Sequence, residues 1–496
     1  MPCVCINNLL DKVYEMTSRN EELYQKSWQE RQDFAERMQP IIGQLYRNYG
    51  VEVAVYGRPL VNASAIDIIK AHKSVGIHEE SKLRLRESFP FLEALSKMDL
   101  HAANIDIGKL AYRYLFLGEA NDLSVEQFLE KELAPLKQQD IAEPQDVVLY
   151  GFGRIGRILA RLLIERTGPM ANLRLRAIVI RPGKDGDLEK RASLLRRDSI
   201  HGAFNGSITV DEEENAIKAN GAFIKVIYAK SPSDIDYTEY GINNALVVDN
   251  TGIWSDEDGL GQHLQSKGVA KVLLTAPAKG DIKNVVYGVN HNDILAEDKI
   301  ISAASCTTNA ITPVLKAIND KYGIKNGHVE TVHSYTNDQN LIDNYHKSPR
   351  RGRSGPLNMV ITSTGAAKAV SKALPELKGL LTGNAIRVPT PNVSMAIMNL
   401  NLKTTTDRDA LNDYLRGVSL ESNLREQVDY TASTEIVSTD LVGSRFAGVV
   451  DSQATIVDED RAVLYVWYDN EFGYSCQVVK VMHKMAGVDV LSLPKA

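Results

Sequence analysis

Two residues, a cysteine and a histidine, have types and settings suited to covalent chemistry. Cys306 lies in the run 304–309, where an apolar stretch gives way to a helical pattern. A cysteine at the start of a helix can have a lowered pKa, because the positive end of the helix stabilises a thiolate. His333 could act as its general base and form a thiolate–imidazolium pair with it. The spacing alone does not show that they touch, and a packed, unreactive thiol is the alternative.

Three glycines in the spacing G-x-G-x-x-G predict a phosphate-binding turn. Gly151, Gly153 and Gly156 follow the apolar run 146–150 and open a helical stretch at 157–165. In such a turn the first glycine permits a tight bend, the second lets the backbone approach a pyrophosphate, and the third lets the helix pack on the strand. A plain strand-to-helix turn is the alternative, but the flanking strand and helix favour a dinucleotide site.

The residue after the next strand bears on which dinucleotide binds. A site for NAD usually has a carboxylate there, which accepts hydrogen bonds from the ribose. Here the strand 175–180 ends in Arg181, followed by proline, glycine and lysine. A guanidinium can bind a 2′-phosphate, which a carboxylate would repel. Arg181 therefore favours NADP or dual use of NAD and NADP, unless its side chain only points to solvent.

The elements that must position these residues follow two patterns. Residues 1 to about 140 are predicted to be mostly helical, with apolar residues of the stretch 34–45 on one helical face and one short strand at 51–56. A capping box at Ser124 begins another helix. The polar segment 140–146 predicts a domain boundary. Beyond it, apolar runs alternate with helical stretches, which predicts a parallel sheet, and longer β-type runs past about residue 305 predict a second domain with a different sheet.

Composition and charge exclude several classes of function. The 496-residue chain has a net charge of −6, which gives no basic footprint for nucleic acid. Its apolar runs are too short to span a membrane. Charged residues interrupt the first 20 residues, whereas a secretory signal has an uninterrupted apolar segment. Four cysteines form no disulfide framework, so a cytoplasmic protein is expected. The C-x-C pair Cys3 and Cys5 lacks a second pair of ligands, so no metal site is predicted.

Six motifs, in family order and at family spacing, resemble glyceraldehyde-3-phosphate dehydrogenase. The similarity runs from about residue 146 to 490. The motifs are GFGRIGR at 151–157, ASCTTN at 304–309, HSYTNDQ at 333–339, TGAAKA at 364–369, RVPTPN at 387–392 and WYDNEFGYS at 467–475.

The resemblance implies a specific reaction. The Cys306 thiolate would attack the aldehyde of D-glyceraldehyde 3-phosphate and form a thiohemiacetal. His333 would help activate the thiol and take the hydroxyl proton while hydride passes to the nicotinamide. Inorganic phosphate would then release the thioester as 1,3-bisphosphoglycerate, in a reversible reaction with NAD or NADP. The family also implies a homotetramer, in which the loop 340–355 lies near the neighbouring subunit's cofactor.

The resemblance also implies binding roles for individual residues. Thr336 and Arg387 would hold the phosphate of the substrate. The attacking phosphate would be held by Ser305, Thr307, Thr364, Gly365 and Arg353. The cofactor would be held by Gly151, Gly153, Arg154, Ile155, Gly156, Arg181, Thr251, Gly252, Thr275, Asn470 and Tyr474. Among these, Asn470 would orient the nicotinamide amide.

The implied fold class is α/β: a Rossmann dinucleotide-binding domain plus an α+β catalytic domain, preceded by a mostly α-helical module. The expected bounds are 1–143 for the module, 144–305 for the dinucleotide domain, completed by a C-terminal helix at 470–496, and 306–469 for the catalytic domain. One departure from bacterial NAD-dependent relatives also points to NADP: Asn344 and Tyr345 replace a Leu-Pro pair.

Two other functions remain open from the sequence. The chain could be an erythrose-4-phosphate dehydrogenase, a near relative, or a regulatory scaffold with a vestigial enzyme body. The intact Cys306, His333 and Arg387 argue against the scaffold. The N-terminal module shows no catalytic motif, and formation of oligomers or docking of a protein partner is its expected role.

Overall fold

The structure, a computed structural model, describes residues 3–79, 81–120, 122–138 and 143–495, and for residues 3–19, 77, 137 and 138 it describes the backbone alone. The chain divides into two compact units, one formed by Met1–Ile141 with Val490–Lys495 and the other by Ala142–Asp489. Part of the expected boundary segment, residues 139–142, lies outside the described residues, as do the side chains of Cys3 and Cys5.

The N-terminal unit consists mainly of helices. Its elements up to residue 132 are α1 Cys3–Tyr49, β1 Val51–Val55, β2 Arg58–Pro59, α2 Ala65–His78, α3 Leu85–Leu95, β3 Ala103–Asp106, α4 Ile107–Phe116 and α5 Val125–Glu132. Met38, Ile42 and Leu45 of α1 are at most 2% exposed, which confirms the predicted helical face. The capping box at Ser124, which starts α5, is also confirmed.

The remaining elements alternate between helices and strands and then become richer in strands. They are β4 Gln145–Tyr150, α6 Arg154–Glu165, β5 Leu173–Ile180, α7 Asp187–Arg196, β6 Arg197–Asp198, β7 Gly202–Ala203, β8 Ile208–Asp211, β9 Ala216–Ala219, β10 Ala222–Tyr228, β11 Ala245–Asp249, α8 Glu257–Gly261, β12 Val269–Leu274, β13 Ile300–Ser302, α9 Cys306–Tyr322, β14 Ile324–Ser334, β15 Val360–Ser363, α10 Ala366–Ala373, β16 Leu381–Val388, β17 Ser394–Leu402, α11 Arg408–Glu421, β18 Val428–Thr431, β19 Gly448–Asp451, β20 Ile456–Asp458, β21 Arg461–Tyr468, α12 Phe472–Ala486 and β22 Leu491–Leu493.

The first large sheet is the predicted Rossmann sheet. Its strand order is β13-β12-β11-β4-β5-β10-β9-β8, and the strands from β13 to β10 are parallel. Counted along the chain, these six strands have the order 3-2-1-4-5-6, in which a dinucleotide binds where the order reverses, beside β4. Residues of α12 such as Val478 and Met482 pack in the core of this sheet.

The second large sheet carries His333 and Arg387 on neighbouring strands. Its order is β15-β16-β14-β17-β21-β19-β18, with β20 also paired to β21. Most pairs are antiparallel, but β14 and β16 run parallel and bring their carboxyl ends together. Helix α9 packs on this sheet through Ile311, Leu315 and Ile318. The predicted second domain with a different sheet is therefore confirmed.

The end of the chain differs from the expected helix at 470–496. Helix α12 ends at Ala486, because Gly487 takes a left-handed conformation with φ 68° and caps it. Residues Leu491–Leu493 then form β22, which pairs in parallel with β3 of the N-terminal unit. The sheet of that unit has the order β2-β1-β3-β22. The sequence predicted β1 but neither β3 nor β22, because strands of three or four residues carry almost no periodic signal.

No helix in the described part of the chain has a stretch long and apolar enough to cross a lipid bilayer.

We expect Leu493 to stabilise the N-terminal unit, because its side chain on β22 is only 2% exposed. Substitution of Leu493 by Ala should lower the free energy of unfolding of this unit by about 2–5 kcal/mol, through lost burial and a residual cavity. Amide hydrogen exchange of β3 should accelerate accordingly. Leu23→Ala is the matched control, since Leu23 is 58% exposed. Unchanged exchange of β3 in the Leu493 variant would show that β22 contributes nothing to the sheet.

Candidate active site

Cys306 is the first residue of α9, and its position is set by the cap of that helix. Ser305 is the N-cap residue, and its Oγ accepts a hydrogen bond from the backbone N–H of Thr308 at 3.0 Å. The thiol therefore lies at the positive end of a 17-residue helix. This is the setting that the sequence predicted for a nucleophilic cysteine.

The turn before Cys306 is held by two buried side chains. Ala304 has φ 55°, a left-handed conformation that alanine rarely adopts. Asn309 Nδ2 donates to the carbonyls of Ala303 and Ser305 at 2.8 and 3.0 Å. Tyr474 Oη donates to the carbonyl of Ala304 at 2.9 Å. Tyr474, expected at the cofactor, thus supports the turn that presents the nucleophile.

His333 lies at the end of β14, within reach of the thiol. Its Nε2 is 3.6 Å from Cys306 Sγ, and its Nδ1 is 2.7 Å from the carbonyl of Ser334. Nδ1 also lies 2.8 Å from Arg387 Nη1, so it has an acceptor and a guanidinium donor beside it. In the tautomer whose Nδ1–H donates to the carbonyl, the lone pair on Nε2 faces the thiol and can accept its proton. The candidate pair that the sequence suggested is therefore a contact in the structure.

Arg387 stands next to this pair because of strand register. The parallel pairing of β14 and β16 places Arg387 opposite His333. Its Nη1 donates to the carbonyl of Ser334 at 2.8 Å. The guanidinium brings positive charge to a buried site in which the thiol and the imidazole have few other charged neighbours.

The charges in this site favour a neutral pair before substrate arrives. Burial lowers the pKa of His333 to about 3, and the Arg387 charge acts in the same direction. Burial raises the pKa of the Cys306 thiol, whereas Arg387 lowers it. His333 is therefore an unprotonated base at neutral pH.

Tyr468 is a supporting residue that the sequence analysis did not single out. Its Oη lies 2.9 Å from Thr307 Oγ1 and 2.7 Å from Thr331 Oγ1. Its ring meets the ring of His333 edge-on, with centroids 6.0 Å apart. Tyr468 belongs to the motif 467–475, which was the signal that could have identified it. Thr307, predicted as a phosphate ligand, is buried and bonded to this tyrosine.

Two arginines and a carboxylate form the polar side of the site. Arg351 Nη1 donates to Asp338 at 2.6 Å, and Thr336 Oγ1 donates to the same carboxylate. The charges of Arg387 and Arg351 both lower the pKa of His333. Thr336, Arg351 and Arg387 are thus grouped about Asp338, close to the catalytic pair.

Arg353, by contrast, is not brought into this group. Its Nε donates to Asp343 at 2.6 Å, and its side chain is 64% exposed. The run 350–353 contains three arginines, and residue type alone could not tell which of them faces the site. Arg351 is the one whose charge reaches His333.

A further anion-binding feature lies at the start of α10. Thr364 Oγ1 accepts from the backbone N–H of Ala366 at 3.1 Å, and Gly365 is the N-cap residue. β15, which leads into this helix, pairs with β16 opposite Arg387. The first N–H groups of such a helix suit a phosphate. Val360, at the first position of β15, pairs with Arg387, and Thr364 and Gly365 follow the other end of this strand.

The glycine turn fits a pyrophosphate. Gly151 has φ 94°, and a Cβ on Gly156 would lie 2.4 Å from the carbonyl oxygen of Gly151. A Cβ on Gly153 would meet no atom within 4 Å, and Gly153 is the N-cap of α6 with no side chain to satisfy its first N–H groups. The turn thus leaves open space and free donors at one point, as a bound phosphate requires.

Arg154 contributes to this turn differently from the expectation. Its guanidinium binds the carboxylates of Asp198 and Glu471 and is not free for a pyrophosphate. Arg154 and Ile155 can still offer backbone N–H groups from the first turn of α6.

Three further sets of predicted cofactor residues follow the carboxyl ends of parallel strands: Arg181, which is exposed, after β5, Thr251 and Gly252 after β11, and Thr275 after β12. Asn470 instead follows β21 of the second sheet. Thr251 Oγ1 donates to Asp249 at 2.7 Å, and Gly252 has φ 67°. Thr275 Oγ1 donates to the carbonyl of Asp249 at 3.0 Å. Asn470 is buried, and its Oδ1 accepts from Ser394 Oγ at 2.8 Å. This bond orients the amide of Asn470 and leaves its N–H groups for a ligand.

Comparisons with known proteins find similarity over most of the chain. The family model for the NAD binding domain of glyceraldehyde 3-phosphate dehydrogenase matches residues 145–257, and the model for the C-terminal domain of that enzyme matches residues 305–470. A glyceraldehyde-3-phosphate dehydrogenase-like protein of Pseudomonas aeruginosa is 62% identical over 463 residues, which cover 92% of this chain and 100% of that protein.

Two relatives named glyceraldehyde-3-phosphate dehydrogenase match a shorter part of the chain. The enzyme of Zymomonas mobilis is 40% identical over 68% of this chain and 98% of its own length. The chloroplastic enzyme A of Zea mays is 41% identical over 67% of this chain and 80% of its own length. The Pseudomonas protein therefore shares most of the additional sequence, which the other two lack.

We expect removal of the Arg387 charge to slow alkylation of Cys306 by iodoacetamide at neutral pH. The guanidinium lowers the pKa of the thiol, so Arg387→Leu should raise it. Each unit of rise cuts the thiolate fraction about tenfold, and we expect a loss of roughly threefold to tenfold in rate. Arg353→Leu is the control, because Arg353 pairs with Asp343. Equal rates for the parent and Arg387→Leu would contradict this account of the site.

Proposed function

Because the chain belongs to the glyceraldehyde-3-phosphate dehydrogenase family, we propose that it oxidises D-glyceraldehyde 3-phosphate to 1,3-bisphosphoglycerate with a nicotinamide dinucleotide and inorganic phosphate. The observation that supports this most is the contact between Cys306 and His333 beside Arg387. A nucleophile, a base and a phosphate-binding cation meet at a helix start, next to a Rossmann sheet.

The first step uses the neutral pair. Cys306 Sγ attacks the aldehyde carbon while His333 Nε2 accepts the thiol proton, and His333 then returns that proton to the carbonyl oxygen, which becomes the hydroxyl of a thiohemiacetal. The backbone N–H of Cys306, at the start of α9, can stabilise the developing oxyanion. His333 then accepts the hydroxyl proton as the carbon loses hydride. The bound dinucleotide supplies the hydride acceptor, and the product on the enzyme is a thioester at Cys306.

The second step requires a bound phosphate. A phosphate oxygen attacks the thioester carbon, the C–S bond breaks, and Cys306 leaves as the thiolate and recovers its proton from His333. We propose Ser305, Thr364 and Gly365 as ligands of this phosphate, with Thr307 holding Tyr468 in place. Thr336 and Arg387 bind the phosphate of the substrate.

Arg351 is the additional phosphate ligand that the geometry favours. It shares Asp338 with Thr336, and its charge acts on both His333 and Arg387. Arg353 would have to leave Asp343 to reach either phosphate. A second guanidinium near Arg387 also explains how two phosphates, each carrying negative charge, can be accommodated in one site.

Steady-state kinetics test this function. We expect turnover of glyceraldehyde 3-phosphate to require inorganic phosphate and to exceed turnover of erythrose 4-phosphate. Cys306→Ser should abolish it, and His333→Asn should lower kcat by about 10²- to 10⁴-fold, the usual contribution of a general base. Arg351→Gln should raise KM for phosphate or aldehyde more than the matched variant Arg353→Gln.

Other outcomes would identify the rival functions. A faster rate with erythrose 4-phosphate would make the chain an erythrose-4-phosphate dehydrogenase. A rate independent of phosphate would contradict the phosphorylating reaction. A protein that bound the dinucleotide without turnover, and that Cys306→Ser left unchanged, would be a regulatory scaffold.

For the cofactor we propose NADP or dual use of NAD and NADP. Arg181 is exposed after β5, where a 2′-phosphate would lie. Two acids follow on the next segment, Asp185 and Asp187. Asp187 packs over Gly183 and accepts from Arg191 Nε at 3.2 Å. Its charge is thus partly neutralised, so it opposes a 2′-phosphate less than an unpaired carboxylate would.

Arg181→Asp should shift the preference towards NAD. The substitution removes an attractive charge and adds a repulsive one, and we expect the ratio of kcat/KM for NADP to that for NAD to fall at least tenfold, which corresponds to about 1.4 kcal/mol. Lys190→Asp on the exposed face of α7 makes the same kind of charge change away from the strand end. An unchanged ratio in Arg181→Asp would show that Arg181 does not contact the cofactor.

For assembly we propose a homotetramer in the cytoplasm. The loop and strand after Asn340 expose a cluster of large apolar side chains that an isolated subunit would leave in water. Its members are Leu341 74%, Ile342 77%, Tyr345 90%, Leu357 81% and Met359 75% exposed. The N-terminal unit exposes apolar residues too, at the end of α4, and we propose oligomer formation or protein docking as its role. A reducing compartment keeps the Cys306 thiol free.

A further inference from the structure

A buried ionic cluster connects the two ends of the dinucleotide site. We propose that His201, Asp198 and Asp469 are positioning residues that hold the pyrophosphate turn and the nicotinamide-binding Asn470 in a fixed relation, an inference that rests on the proposed function. None of the three belongs to the residues that the mechanism above uses.

His201 is the centre of this cluster. Its side chain is 4% exposed and lies in the loop between β6 and β7. Its Nε2 is 3.1 Å from Asp469 Oδ2, and its Nδ1 is 3.4 Å from Arg154 Nη2. Nε2 also lies 3.2 Å from the side-chain amide of Asn392. Because a guanidinium can only donate, Nδ1 accepts, and Nε2–H faces Asp469 and the Asn392 amide. The ring of Phe472 covers one side of the imidazole at 5.6 Å between centroids.

Asp469 connects His201 to the backbone around Asn470. Its Oδ1 accepts from the backbone N–H groups of Glu471 and Phe472 at 3.0 and 2.8 Å. Its Oδ2 accepts from the N–H of Gly443 at 2.8 Å, besides the contact with His201. Burial alone would raise the pKa of Asp469, but these bonds lower it and keep a carboxylate. The backbone on both sides of Asn470 is therefore fixed by one side chain.

The other end of the cluster begins directly after Gly153. Arg154 is the first residue of α6, and its guanidinium binds the carboxylates of Asp198 and Glu471. Asp198 Oδ1 in turn accepts from the N–H groups of Ile200 and His201, both at 2.9 Å. Hydrogen bonds thus run without a break from the pyrophosphate turn through Arg154, His201 and Asp469 to the turn that contains Asn470.

Loss of this cluster should affect binding of the nicotinamide half of the cofactor more than binding of the ADP-ribose half. The ADP-ribose half is held by the glycine turn and by the strand ends, which remain without His201. The nicotinamide half depends on Asn470, whose backbone the cluster fixes. Loss of His201 leaves the Asp469 carboxylate buried with one donor fewer, so the turn around Asn470 should shift while the glycine turn stays.

Binding of a whole and a truncated cofactor tests the inference. The parent, His201→Ala and the conservative variant His201→Gln are titrated with NAD or NADP, whichever the parent binds more tightly, and with the matching ADP-ribose or 2′-phospho-ADP-ribose. We expect His201→Ala to weaken binding of the whole dinucleotide about tenfold and to change binding of the truncated ligand less than threefold. His201→Gln, which keeps an N–H donor, should recover part of the loss. Asp469→Asn should resemble His201→Ala.

The control is His483→Ala, a half-buried histidine of the same unit whose ring contacts the carbonyl of Val479. Equal weakening of both ligands in His201→Ala, or of neither, would overturn the inference and leave the cluster a support of the fold alone. Turnover is measured separately. A parent that binds the dinucleotide without turnover would contradict the proposed function and not this inference.

Discussion

Partial burial of the Cys306 thiol is the constraint on which the rest of the site depends. A thiolate with little access to water is costly, so this burial raises the pKa of the thiol. Three features of the fold act in the opposite direction: the positive end of α9, the Arg387 guanidinium and the neutral base His333. The same burial keeps His333 unprotonated, which makes it fit to take the proton.

The architecture supplies these features from separate layers. The Rossmann sheet ends in the turn that starts α9, and Asn309 and Tyr474 hold that turn. The second sheet supplies His333 and Arg387 from two parallel neighbours, so one register decides whether the base and the cation meet. A one-residue slip between β14 and β16 would send one of them to the other face of the sheet. The positions of His333 and Arg387 therefore depend on strand pairing as well as on the local sequence motifs.

Local motifs made the dinucleotide turn and the nucleophile predictable from sequence. The glycine spacing and the helix start at Cys306 depend on neighbouring residues, and both lie where the sequence placed them. Arg351 could not be separated from Arg353, because the choice depends on Asp338 and Asp343 in a folded loop. Tyr468 and His201 act through partners more than 100 residues away, as in the bond from Tyr468 to Thr331. β22 could not be predicted either, since three residues join a sheet whose other strands lie near residues 51 and 103.

The N-terminal unit includes a later part of the chain, because β22 follows α12 and completes the sheet of β1 and β3. The Pseudomonas relative shares most of this additional sequence, so at least two proteins combine such an N-terminal sequence with the dehydrogenase sequence.

The most direct test of the central claim is to trap the acyl-enzyme. The protein is incubated with aldehyde and oxidised dinucleotide in the absence of phosphate, quenched with acid and analysed by peptide mass spectrometry. The account predicts a phosphoglyceroyl adduct on the peptide containing Cys306, which added phosphate discharges and which Cys306→Ser does not form. An adduct on another residue, or dinucleotide reduction without any adduct in a rapid quench, would contradict it.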